Sequence, residues 1–287
     1  MKYLKYIFAI CLMSLLLASC SKDDVTYDWT PVDNGAKAQL QLHYMAPVKN
    51  VAANYMYYVK LNNDPVYGNM GSSFLLPYNG IPSMRSGLFY TVDAGKLHLQ
   101  LLSKDSTVVY DQTSDVKLKA GVQYSVVVYD LEKAPAVIEC GEIPTFPGSA
   151  ETANHCSTKW YNFLYDSIGQ PSKDKLQLIW RGDSTLKYDE PMGKPIGFGE
   201  ASEWVSPIIT KTIYNSSGYQ RRYYTFHVID GTTGEDKGQL QVWNSKGKMY
   251  AWTDYFTWYI GRSYRLFIAG YVKSTNPRIS VVRWTAY

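Results

Sequence analysis

The chain has 287 residues and a net charge of +4 with no long basic run, which excludes the electrostatic footprint that nucleic-acid binding needs. Aromatic side chains make up 15% of it, led by 26 tyrosines, and such residues suit pleated, half-buried surfaces. The length allows two domains of ordinary size.

At the start of the chain, Lys2 and Lys5 precede an apolar run from Ile7 to Ala18. Crossing a bilayer takes roughly 20 residues, so a run of twelve has the length of a signal-peptide core instead. Leu17-Ala18-Ser19-Cys20 resembles the bacterial lipobox, which implies a signal peptide over residues 1–19 and a lipid on Cys20. The alternative is an ordinary cleaved signal in which Cys20 is incidental. Cys20-Ser21-Lys22-Asp23-Asp24 resembles the lysine-plus-acidic tag of Bacteroidota lipoproteins sent to the outer face of the outer membrane. That resemblance implies a lipid-anchored chain facing the cell exterior. Residues 20–36 are mostly polar, with Trp29 as their one large apolar side chain, and read as an extended, solvated tether.

Beyond the tether, apolar residues alternate in Ala38-Gln-Leu40-Gln-Leu42-His-Tyr44 and again in Leu97-His-Leu99-Gln-Leu101. This period predicts strands with one face in a core. It places His43 and His98 on the outer, solvated faces. Turn signals such as Asn62-Asn63-Asp64-Pro65 and Asn244-Ser245-Lys246-Gly247 recur at short intervals, and no long helical period appears. The expectation is all-β, two tandem antiparallel β-sandwich domains over residues 37–142 and 153–287. A Pro/Gly/Ser-rich linker over 143–152 joins them.

The two-domain reading rests on a repeat. The segment Val108 to Val128 lies without a gap on a segment 140 residues later that ends at Ile268. Gly121 and Tyr124 then match Gly261 and Tyr264, while Val116 and Leu118 match Phe256 and Trp258 as core positions. Farther upstream, Leu99-Gln-Leu101 is set beside Leu240-Gln-Val242, and Val92–Gly95 beside Val228–Gly231.

Tyr90-Thr-Val92-Asp-Ala94-Gly95 and Leu118-Lys-Ala-Gly121-Val-Gln-Tyr124-Ser-Val126 resemble two signatures of the domain of unknown function 4397. The resemblance covers roughly residues 37–135 and implies an Ig-like fold in bacterial exported proteins. That family supplies no catalytic residues to carry over.

The inventory for chemistry is thin. No H-E-x-x-H, G-x-S-x-G or phosphate-binding G-x-x-x-x-G-K occurs. His43, His98, His155 and His227 are scattered, and Gly197-Phe-Gly199 reads as a loop. Asp189, Glu190, Glu200 and Glu203 are close in sequence, which does not give the fixed separation an acid/base pair requires. Asp230-Gly-Thr-Thr-Gly-Glu-Asp236 lacks the spacing of a calcium loop and reads as a hairpin turn. Thus no catalytic residue, metal or cofactor is expected. Cys140 and Cys156 either bond, closing a loop of about 15 residues worth roughly 3 kcal/mol, or stay as thiols. Asp105-Ser106-Thr107, Asp166-Ser167-Ile168 and Asp183-Ser184-Thr185 resemble an O-glycosylation motif of exported Bacteroidota proteins.

The aromatics are the remaining lead. Trp252, Tyr255 and Tyr259 match Gln112, Asp115 and Lys119 in the repeat, positions expected to face solvent. They are therefore the candidate ligand-binding residues, with Trp204 and Trp243 behind them. The functional expectation is a non-enzymatic surface lipoprotein acting as a binding or accessory module, with these rings as the candidate contact for polysaccharide. The alternative is a structural or adhesion component contacting envelope proteins.

Overall fold

A computed structural model describes residues 36–48, 55–66, 89–144, 155–181, 189–207, 219–244, 246–273 and 280–285. The signal peptide, Cys20, most of the tether, most of the linker and the triplet at Asp183 lie outside these residues. Residues 34–287 form one compact unit.

The first half holds β1 (Lys37–Tyr44), β2 (Tyr58–Leu61), β3 (Asp64–Val66), β4 (Tyr90–Asp93), β5 (Gly95–Leu102), β6 (Val108–Leu118), β7 (Gln123–Val128) and β8 (Ala136–Glu139). The second holds β9 (Ser157–Ser167), β10 (Gln170–Pro171), β11 (Lys175–Arg181), β12 (Asp189–Ile196), β13 (Tyr219–Ile229) and β14 (Asp236–Gln239). It continues with β15 (Gln241–Trp243), β16 (Met249–Ala251), β17 (Asp254–Tyr259), β18 (Ser263–Tyr271) and β19 (Ser280–Thr285). No helix occurs among the described residues. The chain is all-β, as its alternation predicts.

Each half packs two sheets over its own core. In the first, β4-β1-β7-β8 faces β3-β2-β5-β6 across Leu40, Leu42, Val126, Leu99 and Leu101. In the second, β10-β9-β18-β19 faces a sheet in which β12, β11 and β13 are joined by β14 and β17, across Trp160, Leu266, Trp180, Tyr224 and Trp258. Pairing is antiparallel, as expected, with two exceptions. The β1–β7 and β9–β18 pairs are parallel, because each opening strand lies beside a late strand of its own half.

The Gly/Tyr motif is the same device in both halves. Gly121 and Gly261 adopt φ of 75° and 71°, a left-handed conformation that costs glycine nothing. Each sits in a turn closed by the backbone, Val122 N–H to Lys119 O and Arg262 N–H to Tyr259 O. The tyrosine hydroxyl then accepts the N–H at the head of that turn, Lys119 N to Tyr124 at 2.9 Å and Tyr259 N to Tyr264 at 3.1 Å.

Farther upstream the repeat departs from its gapless alignment. Leu118 pairs with Gly95 and Trp258 with Gln220, so β5 corresponds to β13. Leu99 and Leu101 therefore match Tyr224 and Phe226, not Leu240 and Val242. The second half inserts β14 and the β15–β16 hairpin between strands that a single turn joins in the first. Val116, expected in the core, is 49% exposed because a bulge turns Ser114 inward in its place. The Ser114 hydroxyl accepts Leu97 N–H and donates to Val116 O.

The outer faces of β1, β7, β9 and β18 are not solvated. They pack against one another between the halves through Met45, Val127, Tyr161, Phe163, Phe267 and Ala269. His43, expected at the surface, is fully buried and stacks on Phe267 with centroids 4.0 Å apart. Burial and the charge of Arg265 hold its pKa well below the ordinary histidine value. Lys159 Nζ donates to Cys140 O at 3.0 Å and the Tyr165 hydroxyl to Tyr129 O at 2.6 Å, adding polar ties across the same seam.

Candidate functional site

The expected ligand-binding residues separate. Tyr255 and Tyr259 lie on one face of β17, but Trp252 does not join them. Trp252 is only 6% exposed, stacked on Phe226 at 5.6 Å and edge-on to Tyr224 at 5.8 Å. Its backbone is held on both sides, its N–H by Leu240 O and its carbonyl by the Thr225 hydroxyl and the Gln239 amide. The inserted strands feed the chain back into the core at this point, where the first half carries Gln112 on a continuous strand.

In place of Trp252 the fold brings β13. Cross-strand pairing sets Tyr219 opposite Tyr259, Arg221 opposite Thr257 and Tyr223 opposite Tyr255. Because side chains alternate, these six share one face while Gln220, Arg222, Tyr224 and Trp258 turn into the second sandwich. Ring centroids lie 5.2 Å apart in the Tyr219–Tyr259 pair and 5.7 Å apart in the Tyr223–Tyr255 pair. Tyr223 and Tyr255 are 45% and 47% exposed. Arg221 Cζ stands 4.7 Å from the Tyr255 centroid, and Arg262 Cζ stands 4.3 Å from that of Tyr259. The Gly261 turn delivers Arg262 to this position directly after β17 ends. Two sets of two tyrosines and one guanidinium thus follow each other along the strands.

Sequence reasoning missed Tyr219, Arg221 and Tyr223. Their signal was Tyr219-Gln-Arg-Arg-Tyr223, with tyrosines spaced like those of Tyr255-Phe-Thr-Trp-Tyr259, but only strand register makes the two runs one surface.

The first sandwich shows what the same strand pair needs to fold. Around the matching positions of β5 and β6 it carries Ala94, Lys96, His98, Thr113, Lys117 and Lys119, with no tyrosine, phenylalanine or tryptophan.

Other candidate groups are occupied in local structure. His98 meets Asp111 at 2.6 Å and His227 meets Asp236 at 2.7 Å, on separate hairpins. Asp230 accepts the N–H groups of Thr232 and Thr233 and pairs with Lys237, as a closed hairpin turn. Lys237 and these N–H groups hold the Asp230 carboxyl far below its usual range. The Glu200 carboxylate caps Gly197 N–H at 2.7 Å and so closes the Gly197–Gly199 loop. No group of three metal-ligating side chains occurs among the described residues. Cys140 and Cys156 are buried and unbonded. Cys140 lies 3.6 Å from the Ser125 hydroxyl, whereas Cys156 belongs to the second core. Burial raises both thiol pKa values, that of Cys156 to about 12. Trp243 is 37% exposed on the inserted hairpin, whose Met249 and Tyr250 are also exposed.

No protein-family model and no curated protein sequence matches the chain. The resemblance to the domain of unknown function 4397 therefore stands on its quoted motifs alone. Among solved structures, the Bacillus anthracis TIE protein aligns over 82% of this chain at a TM-score of 0.23 and 8% identity. This chain covers 34% of that protein. Two proposed cell adhesion proteins, from Bacteroides uniformis and Bacteroides eggerthii, align over 86% and 88% of this chain, each at a TM-score of 0.25 and 10% identity. This chain covers 98% and 96% of them respectively. TM-scores this low establish no common fold.

Proposed function

We propose that the chain is a non-enzymatic, surface-anchored lipoprotein that captures polysaccharide on the Tyr219–Tyr223 and Tyr255–Tyr259 face. One observation carries this reading. The corresponding strand pair of the first sandwich folds without a tyrosine, phenylalanine or tryptophan at these positions, so the four tyrosines are not a demand of the fold. Exposed aromatic pairs are costly to keep in water and mark contact surfaces. A tyrosine offers a flat apolar face with a hydroxyl at its rim, which suits a pyranose with apolar faces and polar edges. Cys20 would supply the lipid and residues 20–36 the reach. Affinity electrophoresis against a polysaccharide panel tests the site: Tyr223→Ala with Tyr255→Ala abolishes retardation and leaves the unfolding midpoint in place. Unchanged retardation sinks the assignment, and hydrolysis of a chromogenic glycoside by the purified protein would overturn the non-enzymatic reading. Loss of radiolabelled palmitate incorporation in Cys20→Ala tests the anchor.

Trp243, Met249 and Tyr250, exposed on the β15–β16 hairpin, favour a second reading in which the chain contacts envelope proteins. Crosslinking on intact cells that recovers a stable protein partner, without glycan retention, would select it.

A further inference from the structure

We infer that the tyrosine face selects acidic polysaccharide and takes uronate carboxylates on Arg221 and Arg262; this rests on the polysaccharide reading above. The charge balance of the face is the first argument. Its six strand positions hold four tyrosines, Thr257 and Arg221, and Arg262 joins from the adjoining turn, so it carries two cations and no acid. Neither arginine forms a salt bridge among the described residues, whereas Lys37, Lys119, Lys133 and Lys237 all do. The nearest carboxylate along β17, Asp254, accepts the Tyr224 hydroxyl from the inward row at 2.7 Å and is engaged by Tyr255 N–H.

Geometry is the second argument. Each guanidinium lies over a ring, 4.7 Å and 4.3 Å from the centroid, which restrains a side chain that otherwise loses much rotamer entropy on binding. A cation over Tyr255 leaves the exposed Tyr223 beside it as an open platform, and a cation over Tyr259 leaves the partly exposed Tyr219 beside it. A pyranose stacked on either platform lies at about the height of the neighbouring guanidinium. A carboxylate leaving the edge of that sugar then meets the planar N–H fork, the arrangement arginine binds with two parallel hydrogen bonds. Tyr219 and Tyr223 are four residues apart, or about 13 Å along a strand. That exceeds one sugar ring, so the occupant is a chain carrying repeated carboxylates and not a monosaccharide.

Isothermal calorimetry with the purified protein tests this, using polygalacturonate, dextran sulfate, a neutral β-glucan and polyglutamate as probes. Polygalacturonate is expected to bind about tenfold tighter than the neutral glucan, since two partly exposed charge contacts supply roughly that factor. Arg221→Gln with Arg262→Gln brings polygalacturonate to the neutral level and leaves the unfolding midpoint unchanged. Tyr223→Ala with Tyr255→Ala removes both polysaccharides. Equal binding of acidic and neutral glycans, or indifference to the arginine changes, overturns acid selection while the polysaccharide reading stands. Dextran sulfate binding as tightly as polygalacturonate overturns the carboxylate assignment. Absence of binding to every polysaccharide overturns both readings, and binding of polyglutamate alone reassigns the face to acidic protein.

Discussion

Truncating Trp252 distinguishes a core ring from a surface ring. Its side chain stacks on Phe226 and meets Tyr224 edge-on, and little of it reaches solvent. Removing a buried Trp or Phe costs about 3–5 kcal/mol, the transfer of the ring plus the cavity it leaves. The hydrogen bonds at this position belong to the backbone and survive Trp252→Ala, so they add nothing to that figure. A domain is stable by only about 5–15 kcal/mol, so the second sandwich should unfold at much lower urea. Trp252→Phe keeps most of the burial and should retain most of the stability and all of the glycan binding. By contrast, Tyr255→Ala, at a half-exposed position, should change stability by no more than about 1 kcal/mol. Urea unfolding and glycan calorimetry on the same samples separate these effects. A Trp252→Ala protein that unfolds at the parent midpoint yet no longer binds polysaccharide would refute the placement of Trp252 in the core.

Acid should loosen the seam between the halves. The folded pKa of His43 lies below 6.5, so the unfolded chain takes up the proton first and stability falls as pH drops below about 6.5; urea midpoints at pH 7 and pH 5 should differ, and His43→Phe should narrow the gap. The raised pKa of Cys156 acts in the opposite sense, so stability falls as pH rises above about 9, where the unfolded thiol ionises first. Because Cys140 and Cys156 are unbonded, dithiothreitol should leave their melting transition unchanged, and a drop would signal a disulfide. Gly261→Ala places a Cβ at φ 71° in open space and should cost about 1–2 kcal/mol from backbone strain alone, with Gly261→Asn milder. Equal thermal midpoints for the two variants would contradict that cause.

Local chemistry was the legible part of this fold. The Gly121/Tyr124 and Gly261/Tyr264 turns are set by residues within five positions of each other, so their pattern survives in a bare sequence. Alternation correctly gave Leu40 and Leu42 an inner face. It could not show what covers the other face, and His43 was misplaced for that reason. The error at Trp252 has another origin, because a gapless alignment cannot sense an inserted hairpin. For the site, Tyr255 and Tyr259 were found as members of one strand face. Tyr219, Arg221 and Tyr223 lie more than 30 residues earlier, and only the β13–β17 hydrogen-bond register brings them alongside.

The seam between the halves has a symmetry that its sequence conceals. Gln39 pairs with Gln123 and Ser157 with Ser263, so position 43 corresponds to 161 and position 125 to 265. The Ser125 hydroxyl reaches Tyr161 at 3.5 Å, and the charge of Arg265 acts on His43. One interaction corresponds to the other with the halves exchanged, which is the rule of an isologous interface between identical subunits. At these positions the seam follows the pattern of a two-fold dimer contained in one chain. Two identical subunits would have to display the same face twice. Covalent fusion lifts that constraint, and one copy carries Ala94, His98, Thr113 and Lys119 where the other carries its four tyrosines.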